Sequence, residues 1–253
     1  MGQGSPVWLF HSLLADASSC LPLAEALASR HRVFLPHLPG FGNSPPAEMG
    51  LAEMVPAELG LAAVADSMAA AIQAAGAPLA IIGNGYGSFV ALMVALRHPD
   101  CVTHLVLAGT GAAFDAAGRA AFRGMALAAG SKGLGAIADT AMRRLFSPAF
   151  QAANPDLLAD RRARFVATDQ AVFTAACDAL AGLDIRSAVA SLRVPTLVMV
   201  GSGDEATPPP MARELAALVP GARLVELPGL AHVPQLQDTA AFVAAMGAFL
   251  EQG

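Results

Sequence analysis

Residues Ile81-Ile82-Gly83-Asn84-Gly85-Tyr86-Gly87-Ser88 pass from an apolar β-type run straight into an Ala/Leu-rich helical stretch, with glycine at every second position across the junction. A strand that turns this sharply into a helix brings two backbones together, and glycine at Gly83 and Gly87 permits that approach. The central position must take a strained conformation, usually with positive φ, to lift its side chain above a sheet; Gly85 meets that demand without steric cost. The spacing is that of G-x-S-x-G, a strand–turn–helix device that exposes a nucleophile, with Gly85 in the nucleophile's place. It is not the spacing of a dinucleotide fingerprint, and no Walker-type lysine follows it.

The surrounding text supplies the sheet that such a junction needs. Short β-rich runs at Val7–Phe10, Arg32–Leu35, Leu79–Gly83, His104–Ala108, Thr196–Gly201 and Arg223–Leu227 read as strands. Between or after them, Ala17–Ser29, Leu61–Ala75, Ser88–Arg97, Pro209–Leu218 and Thr239–Leu250 read as helices. This alternation predicts an α/β fold, a mainly parallel sheet with helices on both faces. Residues 111–187 break the pattern: they read as short helices interrupted at Gly130–Gly135 and Ser147–Pro148, with no strand. The predicted organisation is a core of residues 1–110 and 188–253, with 111–187 as a helical lid over the C-terminal ends of the strands, where open α/β sheets bind ligands.

Composition limits the partners. The 253-residue chain is 55% apolar and 14% charged, with a formal net charge of -5 and no run of five or six like charges, so a nucleic-acid or membrane-surface binder is not expected. Mean hydropathy is high, at +0.53. Charged, Gly and Pro residues nevertheless interrupt each apolar stretch before it reaches about 20 residues, the length of a membrane span. The opening MGQGSPVWLF lacks a basic region, so a secretory leader is not expected. Cys20, Cys101 and Cys177 are too few and too scattered for a disulfide framework or a zinc site, and they fit buried thiols in a cytoplasmic protein.

Two further residues give the junction a chemistry. Asp204 lies in Gly201-Ser202-Gly203-Asp204-Glu205-Ala206-Thr207-Pro208, directly after a strand, and His232 lies between the last strand and the last helix. The chain order elbow, Asp, His is that of the α/β-hydrolases. In this arrangement Asp204 fixes the tautomer of His232, and His232 shuttles protons. Taken singly, Asp204 reads equally as a helix cap and His232 as a turn residue; their order behind the elbow favours the paired reading. Phe10-His11-Ser12-Leu13-Leu14 follows the first strand, where the fold places one oxyanion-hole N–H, assigned here to Leu13, with Tyr86 supplying the other. His11 is expected to orient that loop and Ser12 to touch substrate or orient a water. Ser88, one turn into the helix, is expected to face packing.

On these residues the whole chain resembles the α/β-hydrolase superfamily. Pro39-Gly40-Phe41-Gly42-Asn43-Ser44 is similar to that superfamily's glycine-rich loop ahead of the elbow. Asp204-Glu205-Ala206-Thr207-Pro208-Pro209, Leu218–Val225, Gly133–Asp139, Leu145–Phe150 and Cys177–Leu180 with Leu183–Arg186 resemble the 3-oxoadipate enol-lactonase group. The resemblance implies a serine where Gly85 stands and an aromatic residue where Leu145 stands. It also implies an opening pair of antiparallel strands, whereas this chain starts almost directly on the strand before the oxyanion loop. A bare sheet edge is therefore expected there, a surface on which a homodimer can pair.

Three functions remain open at this level. The chain is an ester or lactone hydrolase whose serine is missing at Gly85. Or it is a working enzyme in which His232 acts as general base for water-mediated hydrolysis, C–C cleavage, decarboxylation or elimination. Or it is a non-catalytic ligand-binding protein. The expected substrate is small, mostly apolar and carbonyl-containing, with Arg143 or Arg144 available for a carboxylate unless both belong to a solvated helix face; no metal or organic cofactor is implied.

Overall fold

A computed structural model describes residues 1–46 and 57–251. Six strands form one sheet: β1 (Ser5–Phe10), β2 (His31–Phe34), β3 (Leu79–Asn84), β4 (Val102–Ala108), β5 (Thr196–Gly201) and β6 (Arg223–Leu227). Their order is β2-β1-β3-β4-β5-β6, and all pairings are parallel. Alternate residues of each strand face opposite sides. Val7, Leu9, Ala80, Ile82, Val106 and Met199 join one apolar core, and Phe10, Ile81, Leu105, Leu107, Val198 and Val200 join the other. Because the chain runs from β1 to β2 on one side and returns to β3 on the other, the connections diverge between β1 and β3. A crevice opens at that point, beyond the C-terminal ends of the two strands.

The flanking helices of the core are α1 (Leu21–Leu27), α2 (Ala57–Ala74) and α3 (Tyr86–Arg97). The helix expected over Ala17–Ser29 is split into a 3-10 turn at Ala17–Cys20 and then α1. Pro22 is the reason, since it has no N–H to continue a single helix through that point. Beyond the sheet's middle come α4 (Ala116–Lys132), α5 (Ala138–Leu145), α6 (Pro148–Ala153), α7 (Pro155–Val166), α8 (Gln170–Gly182) and α9 (Arg186–Val189), all between β4 and β5. The expected breaks are present: Gly133, at φ 77°, ends α4, and Ser147 caps α6 ahead of Pro148. Among the described residues of this stretch the only strand-like pairing is the isolated bridge Ala113–Asp184. The chain then completes the sheet with α10 (Pro209–Leu218), α11 (Pro234–Gln237) and α12 (Thr239–Met246). The last helix stops short of the expected Leu250, at Gly247 with φ 56°.

The outer edge of β2 is the expected open edge of the sheet, covered, among the described residues, at Val33 alone. The Met1 ammonium donates to Val33 O at 2.8 Å, and Val33 N–H donates to Met1 O at 2.7 Å. Gly2 and Gly4, with φ 70° and 116°, let the chain lie this close, since a Cβ on Gly2 would meet Ala28 O and His31 O at 2.3 Å.

Candidate active site

The elbow forms as its glycines require. Gly85 sits between β3 and α3 at φ 52°, ψ −121°. A Cβ on Gly83 would lie 2.6 Å from Ser88 Cα, and one on Gly87 would lie 2.4 Å from Phe10 O. Gly85 N–H donates to Ala108 O at 2.9 Å, which ties the turn to β4. Ser88 is fully buried and its hydroxyl donates to Ala108 O at 2.8 Å, so it packs under the elbow as expected and does not face the crevice.

Asp204 and His232 meet beside this turn. Nδ1 of His232 lies 2.9 Å from Oδ2 and 3.1 Å from Oδ1 of Asp204, both side chains almost wholly buried. Nδ1–H therefore donates to the carboxylate, and the Nε2 lone pair faces the space over Gly85. A Cβ on Gly85 would lie 2.8 Å from that Nε2. Burial opposes ionisation of Asp204. The hydrogen bonds from His232 and Thr207, and the attraction of the imidazole whenever it carries a proton on both nitrogens, outweigh it and hold the carboxyl below its usual range. Asp204 is not a cap for α10, whose N-cap is Pro208 without a side-chain hydrogen bond. Its Oδ1 instead accepts from Ala206 and Thr207 N–H at 2.8 and 2.9 Å.

Three supporting residues were not picked out in the sequence. Thr207 Oγ donates to Asp204 Oδ2 at 2.8 Å and lies 3.3 Å from His232 Nδ1. Its signal was its place three residues after Asp204, within reach of an Asx-type turn. Asn84 Nδ2 donates to His232 O at 2.7 Å and so fixes the backbone of the histidine from inside the elbow. Gly109, at φ 63°, leaves room behind the imidazole, since a Cβ there would press on Nδ1 at 3.0 Å.

The loop after β1 completes the crevice. His11 is buried: Nδ1–H donates to Ser12 O at 2.9 Å, and Nε2 accepts Leu38 N–H at 3.2 Å. Only the neutral ring makes both bonds. Burial pushes the His11 imidazole down to about 4, with His37 adding to the effect and Asp16 opposing it. A histidine held below its unfolded value stabilises the fold above about pH 6.5 and withdraws that stability as the pH falls through the folded value. Between pH 6.5 and 4 the shift from 6.5 to about 4 corresponds to about 3 kcal/mol. Denaturant titrations across that range should show the loss, and His11→Gln should flatten it; an unchanged slope would reject this role. Arg161, also buried, steadies the same loop from α7 by donating to Ser18 Oγ at 2.9 Å and lying 3.5 Å from Asp16.

Leu13 and Tyr86 flank Gly85 in the crevice, and among the described residues neither backbone N–H donates to a protein acceptor. Burial pushes the Tyr86 phenol up, so it stays protonated. The crevice is a cavity of about 50 Å³ lined also by Ser12, Phe114, Phe122, Met125, Arg144, Leu180 and His232. That is room for a few waters, as a water needs roughly 10–15 Å³ on the same kind of measure. A hollow of about 650 Å³ adjoins it and shares Phe114, Ala121, Arg144 and Ala206. Arg144 thus reaches both spaces, while Arg143 does not. Arg143 is exposed and donates to Thr140 Oγ1 at 2.9 Å. Successive helical residues point about 100° apart, and α5 buries Ala141, Met142 and Leu145, so only one of the two arginines can face inward. Leu145 itself is packed in the core, outside the cavity lining.

This geometry agrees with the likenesses of the chain. A sequence profile described as alpha/beta hydrolase fold matches residues 5–239. The chain belongs to the α/β-hydrolase fold family. Within that hydrolase family it is 30% identical to a pimeloyl-[acyl-carrier protein] methyl ester esterase of Chromobacterium violaceum, over 99% of this chain and 96% of the esterase. The esterase of the same name from Neisseria meningitidis serogroup B is 32% identical, over 98% and 93%. Polyketide synthase ThaQ of Burkholderia thailandensis is 31% identical over 99% of this chain, which spans only 12% of that synthase. Among solved structures, the enol-lactonase of Burkholderia xenovorans LB400 superposes with a TM-score of 0.88 at 27% identity, covering 99% of this chain and 93% of that one. Among the described residues no helix is long and apolar enough to cross a membrane.

Proposed function

We propose that this α/β-hydrolase acts on a small, mostly apolar ester or lactone, with Gly85 occupying the place of the family's nucleophile. The single observation that carries the reading is the Asp204–His232 pair, whose Nε2 faces the Gly85 turn. Asp204 sets the tautomer, His232 moves protons, and Leu13 and Tyr86 N–H receive the carbonyl oxygen as it gains charge. Relatives whose names specify a methyl ester and an enol-lactone support the same bond class. Residues 111–187 serve as the lid over the core of 1–110 and 188–253, since Phe114, Phe122, Met125 and Leu180 wall the cavity. Arg144 has no ion-pair partner among the described residues and suits a carboxylate at the far end of the substrate. The buried free thiols suit a cytoplasmic setting.

The test is a panel of aryl esters, enol-lactones and alkyl esters with a free or methyl-capped terminal carboxylate. Hydrolysis above background is expected, with a lower KM for the free carboxylate. His232→Ala should lower turnover by roughly 100-fold or more. Turnover that survives His232→Ala unchanged rejects the assignment. Decarboxylation or elimination dependent on His232, without ester hydrolysis, would instead favour the general-base alternative.

A further inference from the structure

The parallel register between β1 and β3 sets Phe10 opposite Gly83. Two residues further along each strand end stand Ser12 and Gly85, so the two meet across the crevice. A Cβ built on Gly85 would lie 2.6 Å from Ser12 Oγ, 3.2 Å from Ser12 Cβ and 2.8 Å from His232 Nε2. The serine hydroxyl and the basic nitrogen of the imidazole thus converge on one point, the space a side chain at the elbow would fill. They are no further apart than those two distances laid end to end. The backbone of Ser12 is held in place, its carbonyl accepting from His11 Nδ1 at 2.9 Å and from Ala15 N–H at 3.2 Å.

From this convergence we infer that Ser12 supplies the nucleophilic hydroxyl that Gly85 lacks. The inference rests on the hydrolase reading above and gives Ser12 more than the water-orienting role its sequence position suggested. Three features fit the chemistry. Nδ1–H of His232 is committed to Asp204, so Nε2 is free to accept a proton. Leu13 follows Ser12 directly, so a nucleophile and the next residue's N–H stand together here in the same relation as at an ordinary elbow. Glycine at position 85 is what admits both groups, because any Cβ there would push them apart.

The step balances without any other reagent. Ser12 Oγ attacks the ester carbonyl carbon while its proton passes to His232 Nε2, and the carbonyl π pair moves onto oxygen facing the Leu13 and Tyr86 amides. The pair returns, the C–O bond to the alcohol breaks, and the alcohol leaves with the proton from Nε2. Water then attacks the Ser12 ester, gives its proton to Nε2, and releases acid while Ser12 Oγ recovers the proton.

The experiment is labelling of the whole chain with a fluorophosphonate, followed by peptide mapping, alongside aryl-ester assays. An adduct on Ser12, lost in Ser12→Ala and in His232→Ala, with hydrolysis falling about 100-fold in each, is the expected result. Circular dichroism melts show that each variant is folded, and Ser12→Cys, labelled with iodoacetamide, gives a second reading at the same position. Hydrolysis that depends on His232 but leaves Ser12 unlabelled and survives Ser12→Ala overturns the inference, assigns the attack to a water and leaves the hydrolase reading standing. If the wild-type chain neither labels nor hydrolyses, the inference is also overturned, and Gly85→Ser decides the rest. Labelling of the introduced hydroxyl keeps the site assignment, and a folded but inert Gly85→Ser chain rejects both.

Discussion

Gly85→Ser is expected to raise aryl-ester hydrolysis by about 100-fold or more over the wild-type chain, while lowering the melting temperature by a few degrees. The gain follows from placement. At the elbow the new hydroxyl stands on the strained turn itself, at φ 52°, ψ −121°, next to Tyr86 N–H and facing His232 Nε2. Any hydroxyl or water acting now reaches the carbonyl from another starting point, and a displacement of about 1 Å is enough to cost roughly 100-fold. The contacts of the new Cβ are with atoms of two side chains, Ser12 Oγ at 2.6 Å, His232 Nε2 at 2.8 Å and Ser12 Cβ at 3.2 Å, and not with backbone. Both can yield by small rotations, so the substitution is accommodated. The stability cost comes from a non-glycine residue at positive φ, about 1–2 kcal/mol. For a chain of this size that is a shift of about 2–4 °C per kcal/mol. Gain of hydrolysis with a lower melting point fits the elbow assignment. A well-folded variant with no hydrolysis of aryl ester or enol-lactone does not.

Most of the fold was legible because its constraints are local. The strands are apolar runs with the right period, and the glycines at 83 and 87 mark a turn whose close backbone contacts tolerate nothing larger. Asp204 and His232 were legible as a pair from their order and from their loops after strands, and the structure brings them to 2.9 Å. What stayed hidden depends on how elements register against one another. That Ser12 faces Gly85 follows from Phe10 pairing with Gly83, a fact about two strands that neither strand encodes alone. Choosing Arg144 over Arg143 required the rotation of α5, which is set by the burial of Ala141, Met142 and Leu145. The open edge of β2 was legible, and the pairing upon it, between Met1 and Val33, depends on two positive-φ glycines whose geometry the sequence does not announce. The split before α1 was in principle readable from Pro22 and was overridden by the apolar pattern around it.

Asp204→Asn, made in the Gly85→Ser background so that activity is well above the detection limit, is expected to lower kcat by about 10⁴-fold with little change in fold. The reasoning rests on which oxygen each neighbour uses. Ala206 and Thr207 N–H both donate to Oδ1, so the amide oxygen of asparagine must take that place. Its NH2 then falls where Oδ2 was, the atom 2.9 Å from His232 Nδ1. An NH2 group donates, so Nδ1 must become the acceptor and the imidazole proton moves to Nε2. That proton points at the reacting hydroxyl, and the ring can no longer take a proton from it. The fold survives because the same exchange removes a buried charge and keeps the two turn hydrogen bonds; only Thr207, whose hydroxyl donates to Oδ2 at 2.8 Å, must reverse its role. KM should move little, since Asp204 is buried behind His232 and absent from the cavity lining. Steady-state kinetics on one aryl ester, with melting curves of both proteins, separate the outcomes. A loss confined to kcat supports Asp204 as the residue that fixes the tautomer. Retention of the Gly85→Ser activity in the double variant would show that His232 does not depend on Asp204 for its proton arrangement, and with that the carboxylate would lose its place in the reaction.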